Sequence, residues 1–187
     1  MKKADIRRTI RARKTLLDES DRALGAAAVF DTLERSVAFT LAERVLMYHS
    51  LPDELSTHRF LDKWSGRKRF FLPRVNGVNL DILPYDRSTL QYGAFQIEEP
   101  QGSDTVTIDD IDLVVVPGVA YDRSGNRVGR GKGYYDRLLQ GCKATKVGVG
   151  YDFQLVEEGI DADEHDVRMD IVITQSDYIV VNKKQHR

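Results

Sequence analysis

Residues 117–137 read PGVAYDRSGNRVGRGKGYYDR, and five of the chain's 14 glycines (Gly118, Gly125, Gly129, Gly131 and Gly133) fall within this one segment. A continuous apolar run, IDLVVVPG at 111–118, leads into it, and a helical pattern carrying Tyr134, Tyr135, Leu138 and Leu139 follows. Glycines allow positive φ and a close approach of backbone to ligand. Successive N–H groups ahead of a helix make a cradle for anions. Arg127, Arg130 and Lys132 add fixed positive charge. The chemistry such a segment suits is phosphate binding. Two familiar phosphate loops fail here. A Walker A loop needs glycine at Asn126 and Ser or Thr at Gly133, and a dinucleotide fingerprint starting at Gly129 needs glycine at Tyr134. Two readings remain open on the residues alone: a phosphate loop of another kind, or a flexible basic loop.

Charge elsewhere is blocked in the same way. Lys3, Arg7, Arg11 and Lys14 fall within ~80° on a helical wheel at ~100° per residue. Such a stripe is either a solvated helix face or part of a polyanion site. Residues 157–170 carry seven acids against Arg168. These acids form a solvated face or an acidic wall beside the basic segments.

The elements that must position these groups alternate in type. A helix over 3–17 places Ile6, Ile10 and Leu17 on one face, and a second is expected from Ser20, as N-cap, to about Ser36. RVLMYHS (44–50) reads as the first strand. A helix near 56–65 leads to KRFFLPRV (68–75) and NLDILPY (79–85), and a helix is expected from Gly131 or Lys132. KVGVGY (146–151), DIVIT (170–174) and YIVV (178–181) read as later strands. The alternation predicts an α/β fold, a three-layer α/β/α sandwich with a largely parallel sheet. Ligands of such sheets sit beyond the carboxyl ends of strands, which directs attention to 49–57, 117–136 and 150–152.

Composition bounds the rest. The 187 residues suit one domain over 1–187, with 182–187 expected as a flexible tail. Apolar residues make up 41%, enough for a core, and the net charge of −1 argues against a nucleic-acid coat. Cys142 is the only cysteine, so neither an internal disulfide nor a cysteine zinc site can form. No apolar run approaches a membrane span and the N-terminus lacks a signal-like h-region, so a cytoplasmic protein without membrane contact is expected.

The segment PGVAYDRSGNRVGRGKGYYDRLL resembles the diagnostic stretch of the 5-formyltetrahydrofolate cyclo-ligase family, also called methenyltetrahydrofolate synthetases. Lys3–Arg7 fits the family's N-terminal K-x-x-x-R, LPDELST (51–57) its acidic substrate loop, and HDVRMDIVIT (165–174) its H-D-x-x-x-D segment. The resemblance implies a fold similar to the ribose-phosphate isomerase and CoA-transferase-like group. It also implies an ATP- and Mg²⁺-dependent ligase that cyclises 5-formyltetrahydrofolate to 5,10-methenyltetrahydrofolate, releasing ADP and phosphate. Site roles follow from it by position. Lys3, Arg7, Arg127, Val128, Gly129, Arg130, Gly131, Lys132, Gly133, Tyr134 and Tyr135 would hold ATP, with Lys132 and Arg130 acting on the transferred group. His49, Glu54 and Tyr134 would meet the folate. Asp136 and Asp170 would hold Mg²⁺, with Asp166 behind them. Asp136 could equally serve the helix dipole, Tyr135 the core, and Arg11 and Lys14 only the solvent. The expected partners are small molecules, with no nucleic acid or membrane, and the expected state is a monomer.

Overall fold

The structure, a computed structural model, describes residues 1–182; the remainder of the expected tail, 183–187, lies outside the described residues. Among the described residues the elements run α1 (Lys3–Lys14), α2 (Glu19–Arg35), α3 (Val37–Leu41), β1 (Arg44–Leu46), α4 (His58–Trp64), β2 (Arg69–Asn76), β3 (Asn79–Pro84), β4 (Gln91–Tyr92) and β5 (Glu98–Glu99). They continue as β6 (Leu113–Val116), β7 (Ala120–Tyr121), β8 (Arg127–Val128), α5 (Tyr134–Leu138), β9 (Thr145–Val149), β10 (Ile171–Ile173) and β11 (Tyr178–Val180).

Seven strands form one sheet in the order β11-β10-β9-β6-β1-β2-β3. The five inner strands are parallel, and β3 and β11 close the edges antiparallel. The continuous apolar run of β6, LVVV, follows from burial on both faces. Alternate side chains divide between two cores. Val45, Met47, Val115, Val147 and Ile173 join Val29, Leu33, Phe39 and Phe60 from α2, α3 and α4. Leu46, Val114, Val116 and Val172 face the other way, toward Leu139, Ala144 and Met169. Each such fully buried aliphatic side chain contributes roughly 1.5–3 kcal/mol. The layers are unequal: three helices cover one face, while the five-residue α5 and connecting segments cover the other.

Several boundaries differ from the sequence expectation, each for a local reason. Helix α2 starts after Asp18 rather than Ser20. The Asp18 carboxylate accepts from Asp21 N–H at 2.7 Å, and the Asp21 carboxylate accepts from Asp18 N–H at 3.2 Å. That reciprocal box satisfies two otherwise orphaned donors. Helix α5 starts at Tyr134, because Gly133 sits at φ 72° and ends the loop in a left-handed turn. The glycine-rich segment is only partly loop. Its first half is a ribbon pairing Ala120 with Val128 and Tyr121 with Arg127. Asp122 ties the ribbon's turn by accepting from the Ser124 and Asn126 backbones. Gly125, at φ 83°, serves this turn, and a Cβ there would meet Met169 O at 2.6 Å.

Helix α1 lies over the carboxyl end of the sheet. Ile6 and Ile10 pack on Ala120, Val128 and Ile160, which fixes its cationic face toward the strands' ends.

Candidate active site

Chain order places β1 beside β6, although β2 and β3 intervene in sequence on the far side of β1. The carboxyl ends of this pair are a topological switch point, where open α/β sheets leave a crevice. A cleft of about 1500 Å³ opens there, bounded by α1, the 48–54 segment, β2 and β3, the glycine loop and residues 163–166.

One end of the cleft is cationic. Arg7 Nε donates to Gly129 O at 2.8 Å, fastening α1 to the glycine loop. A Cβ at Gly131 would point toward the Arg7 guanidinium, and a Cβ at Gly129 would stand 3.0 Å from Arg127 Nη1. The backbone from Gly129 to Gly131 thus threads between two guanidinium groups. Lys132 is exposed, its ammonium 5.6 Å from the Phe95 ring centroid. Arg130 reaches across the cleft mouth to Asp53, at 2.9 Å, and lies 3.8 Å from Glu54 Oε2. Lys3 is held by Asp163, at 2.8 Å, and by Asp166, so the acidic wall and the basic helix neutralise each other.

Two expected ATP ligands sit differently. Val128 is fully buried under α1, and its carbonyl accepts from Val119 N–H at 2.7 Å, so it presents nothing to the cleft. Arg127 is buried beneath the loop. Its Nη1 donates to Pro117 O at 2.9 Å, its Nη2 lies 3.6 Å from Asp136 Oδ1, and its guanidinium covers the Tyr135 ring. Its charge supports the loop from below, while Nε stays buried without a hydrogen-bond partner among the described residues. Tyr135 both lines the cleft and packs on the second core, and burial pushes its hydroxyl pKa up.

The two metal candidates separate. Asp136 lines the cleft; its Oδ1 accepts from Val167 N–H at 3.2 Å. Asp170 precedes β10 at the amino-terminal end of the sheet, where Lys146 N–H donates to its Oδ2 at 2.8 Å and Lys146 Nζ lies at 3.4 Å. Asp136 and Asp170, both expected at Mg²⁺, thus have different surroundings: Asp136 lines the cleft, while Asp170 stands just before a parallel strand, at that strand's amino-terminal end. No cluster of three metal-ligating side chains occurs among the described residues. Asp136 alone fits Mg²⁺, which typically takes one or two carboxylates and completes its octahedron with phosphate oxygens and waters.

The other end is mixed apolar and polar. Leu72, Val75, Leu80 and Phe95 form a wall. Glu54 accepts from Leu51 N–H at 2.9 Å, and burial raises its carboxyl pKa. His49 Nδ1 lies 3.1 Å from Glu98 Oε2, and its ring stacks on His58 at 4.1 Å. Burial, then the neighbouring His58, hold its pKa below the ordinary histidine value. Tyr134 donates to Gly77 O at 3.3 Å and meets the Phe95 ring edge-on. Two participants escape sequence reasoning. Phe95 sits in an irregular segment without periodicity, at φ 59°. Lys14, expected to face solvent, is buried and lines the cleft. Cations at one end and an apolar wall with a few polar groups at the other suit a polyphosphate lying beside a heterocycle.

Comparison with known proteins gives the family and the fold. The profile of the 5-formyltetrahydrofolate cyclo-ligase family matches residues 1–175. The chain belongs to the 5-formyltetrahydrofolate cyclo-ligase family. A relative of that name from Escherichia coli (strain K12) is 34% identical over 146 residues, covering 73% of this chain and 80% of that protein. The Mus musculus relative of the same name is 29% identical over 149 residues, covering 71% and 73%. The solution structure of 5,10-methenyltetrahydrofolate synthetase from Aquifex aeolicus superposes with a TM-score of 0.86 at 30% identity, covering 99% of both chains. The synthetase from Mycoplasma pneumoniae, at 22% identity and a TM-score of 0.75, shares the fold.

Proposed function

We propose that this chain cyclises 5-formyltetrahydrofolate to 5,10-methenyltetrahydrofolate, with ATP as phosphoryl donor and Mg²⁺ held at Asp136. The observation that carries this reading is one cleft in which the loop Gly129–Gly133 faces Glu54 and His49. Family membership over residues 1–175 supports it independently.

A formamide oxygen is a weak nucleophile and a worse leaving group. Its attack on the γ-phosphorus of ATP, with cleavage of the bond to the β-phosphate oxygen, releases ADP and leaves a phosphorylated iminium. The folate's N10 then attacks the iminium carbon and loses its proton. The carbon–oxygen bond breaks and phosphate departs, giving the methenyl bridge. Most of this work is positioning and electrostatics. Arg7 and Arg127 hold the loop backbone from either side. Lys132 and Arg130 supply mobile positive charge where the γ-phosphoryl travels, Arg130 exchanging Asp53 for phosphate. Glu54 accepts from the pterin's N–H and amino donors, a charge-assisted pair that orients the formyl group. His49 and Tyr134 flank the ring. Mg²⁺, when bound, neutralises charge on the β- and γ-phosphate oxygens.

The same reading makes the protein a cytoplasmic monomer acting on small molecules; among the described residues no helix is long and apolar enough to cross a membrane. The test is the methenyl chromophore, followed by ultraviolet absorbance with 5-formyltetrahydrofolate, ATP and Mg²⁺. Product is expected only with all three present. Product without ATP, or none with the complete mixture, contradicts the reading.

A further inference from the structure

Lys14 ends α1 on the helix's cationic face, yet it is only 8% exposed. It lines the cleft together with Tyr48, Asp53 and Glu54. Its main chain is pinned there: Arg22 Nη2 donates to Lys14 O at 3.1 Å, and Nη1 of the same guanidinium donates to Pro52 O at 3.0 Å. One arginine thus ties the end of α1 to the loop that carries Glu54. The Lys14 ammonium has no hydrogen-bond acceptor among the described residues. Its charged neighbours are Asp53, Arg130, Glu54 and Arg22. Asp53 is already engaged by Arg130, at 2.9 Å. Glu54 uses Oε1 for Leu51 N–H, and its Oε2 lies 3.8 Å from Arg130.

The cleft therefore carries, among its lining residues, a largely buried lysine whose ammonium opens on the cleft without an acceptor and a half-buried carboxylate with unused acceptor capacity. Burying either group unmatched costs free energy. Burial accordingly lowers the pKa of Lys14 and raises that of Glu54. A ligand offering adjacent donors and an acceptor along one edge relieves both groups. A carboxylate or phosphate would satisfy Lys14 but repel Glu54. A neutral ring with an amide-like edge satisfies the pair.

We propose that Lys14 and Glu54 together read the amide-like edge of the pterin, Glu54 accepting from the ring N–H and amino group and Lys14 donating to the adjacent ring carbonyl. This rests on the reading that folate occupies this end of the cleft. It makes Lys14 a specificity-determining residue: it favours a ring carrying the carbonyl over one carrying an amino group at that position, which would set donor against donor.

The test uses the full chain and K14M, which keeps the aliphatic stem and removes the donor. Calorimetric titration with 5-formyltetrahydrofolate should show Kd rising about 10- to 100-fold in K14M, the range for a lost hydrogen bond involving a charged group. KM for ATP should stay within about twofold. The discriminating probe is the analogue with an amino group in place of the ring carbonyl. Wild-type protein should bind it at least about tenfold more weakly than the carbonyl form, and K14M should bind the two alike. Unchanged folate affinity in K14M, discrimination that survives the substitution, or a raised KM for ATP instead overturns the role of Lys14. Should K14M fail to fold, K14Q is read by the same ratio. Wild-type protein that does not bind 5-formyltetrahydrofolate overturns the functional reading itself, an outcome visible before any variant is made.

Discussion

Replacing Lys132 by alanine separates a cation acting on the transition state from a charge that merely decorates a loop. The side chain is exposed and stands over the Phe95 ring, so its removal opens no cavity. A preorganised donor to a developing charge is typically worth ~10²–10³ in turnover, roughly 3–4 kcal/mol. K132A should therefore lose methenyl formation by that factor at unchanged melting temperature. Turnover near wild type would transfer the role to Arg130. Glu54 gives the complementary case, where function and stability oppose each other. Burial raises its folded-state pKa above the unfolded value, so the folded protein binds that proton more tightly. The sign follows: wild-type stability falls as pH rises through the folded pKa, and E54Q escapes this loss. The melting temperature of E54Q relative to wild type should rise from acid to neutral pH, while folate affinity falls and ATP affinity holds. A stability difference independent of pH would contradict a half-buried, ionising Glu54.

Arg127 acts at the scale of elements. It joins the end of β6, through Pro117 O, to α5, through Tyr135 and Asp136. Removing it leaves the part-buried Pro117 carbonyl short of its donor and strips the packing on Tyr135, a cost of about 1–3 kcal/mol. For a chain of this size that is about 3–10 °C in melting temperature. R127M should lower both thermal stability and turnover, whereas K132A lowers turnover alone. A fully stable but inactive R127M would place this guanidinium on phosphate rather than beneath the loop. The sequence could not distinguish these positions, because Arg127 stands among glycines and polar residues that read as one loop. Its burial comes from the β7–β8 ribbon, two residues a side, too short to leave a period. Strand β6 is the opposite case: its LVVV announces burial on both faces in composition alone. Lys14 follows the Arg127 pattern. A wheel places it on the cationic face, but only the packing of α1 against the 48–54 segment determines that this part of the face is buried.

At the scale of the molecule, strand order does what no local pattern reveals. It sets β1 beside β6, and so brings 49–54 against 129–136, stretches far apart in the chain. The sequence indicates that both follow strands and both carry chemistry. That they face each other across one crevice is a property of the sheet. The same topology sets Asp170 at the amino-terminal end of β10, against Lys146, a placement its motif position does not reveal. The assembled cleft makes one claim above the others: that phosphoryl transfer to the formyl oxygen drives ring closure. An isotopic label in that oxygen tests it directly. 5-Formyltetrahydrofolate carrying heavy oxygen in its formyl group is turned over with unlabelled ATP in unlabelled water, and the inorganic phosphate is analysed by mass spectrometry. The account predicts one labelled oxygen in each phosphate released with methenyl product. Unlabelled phosphate, with the heavy oxygen recovered in water, would contradict it.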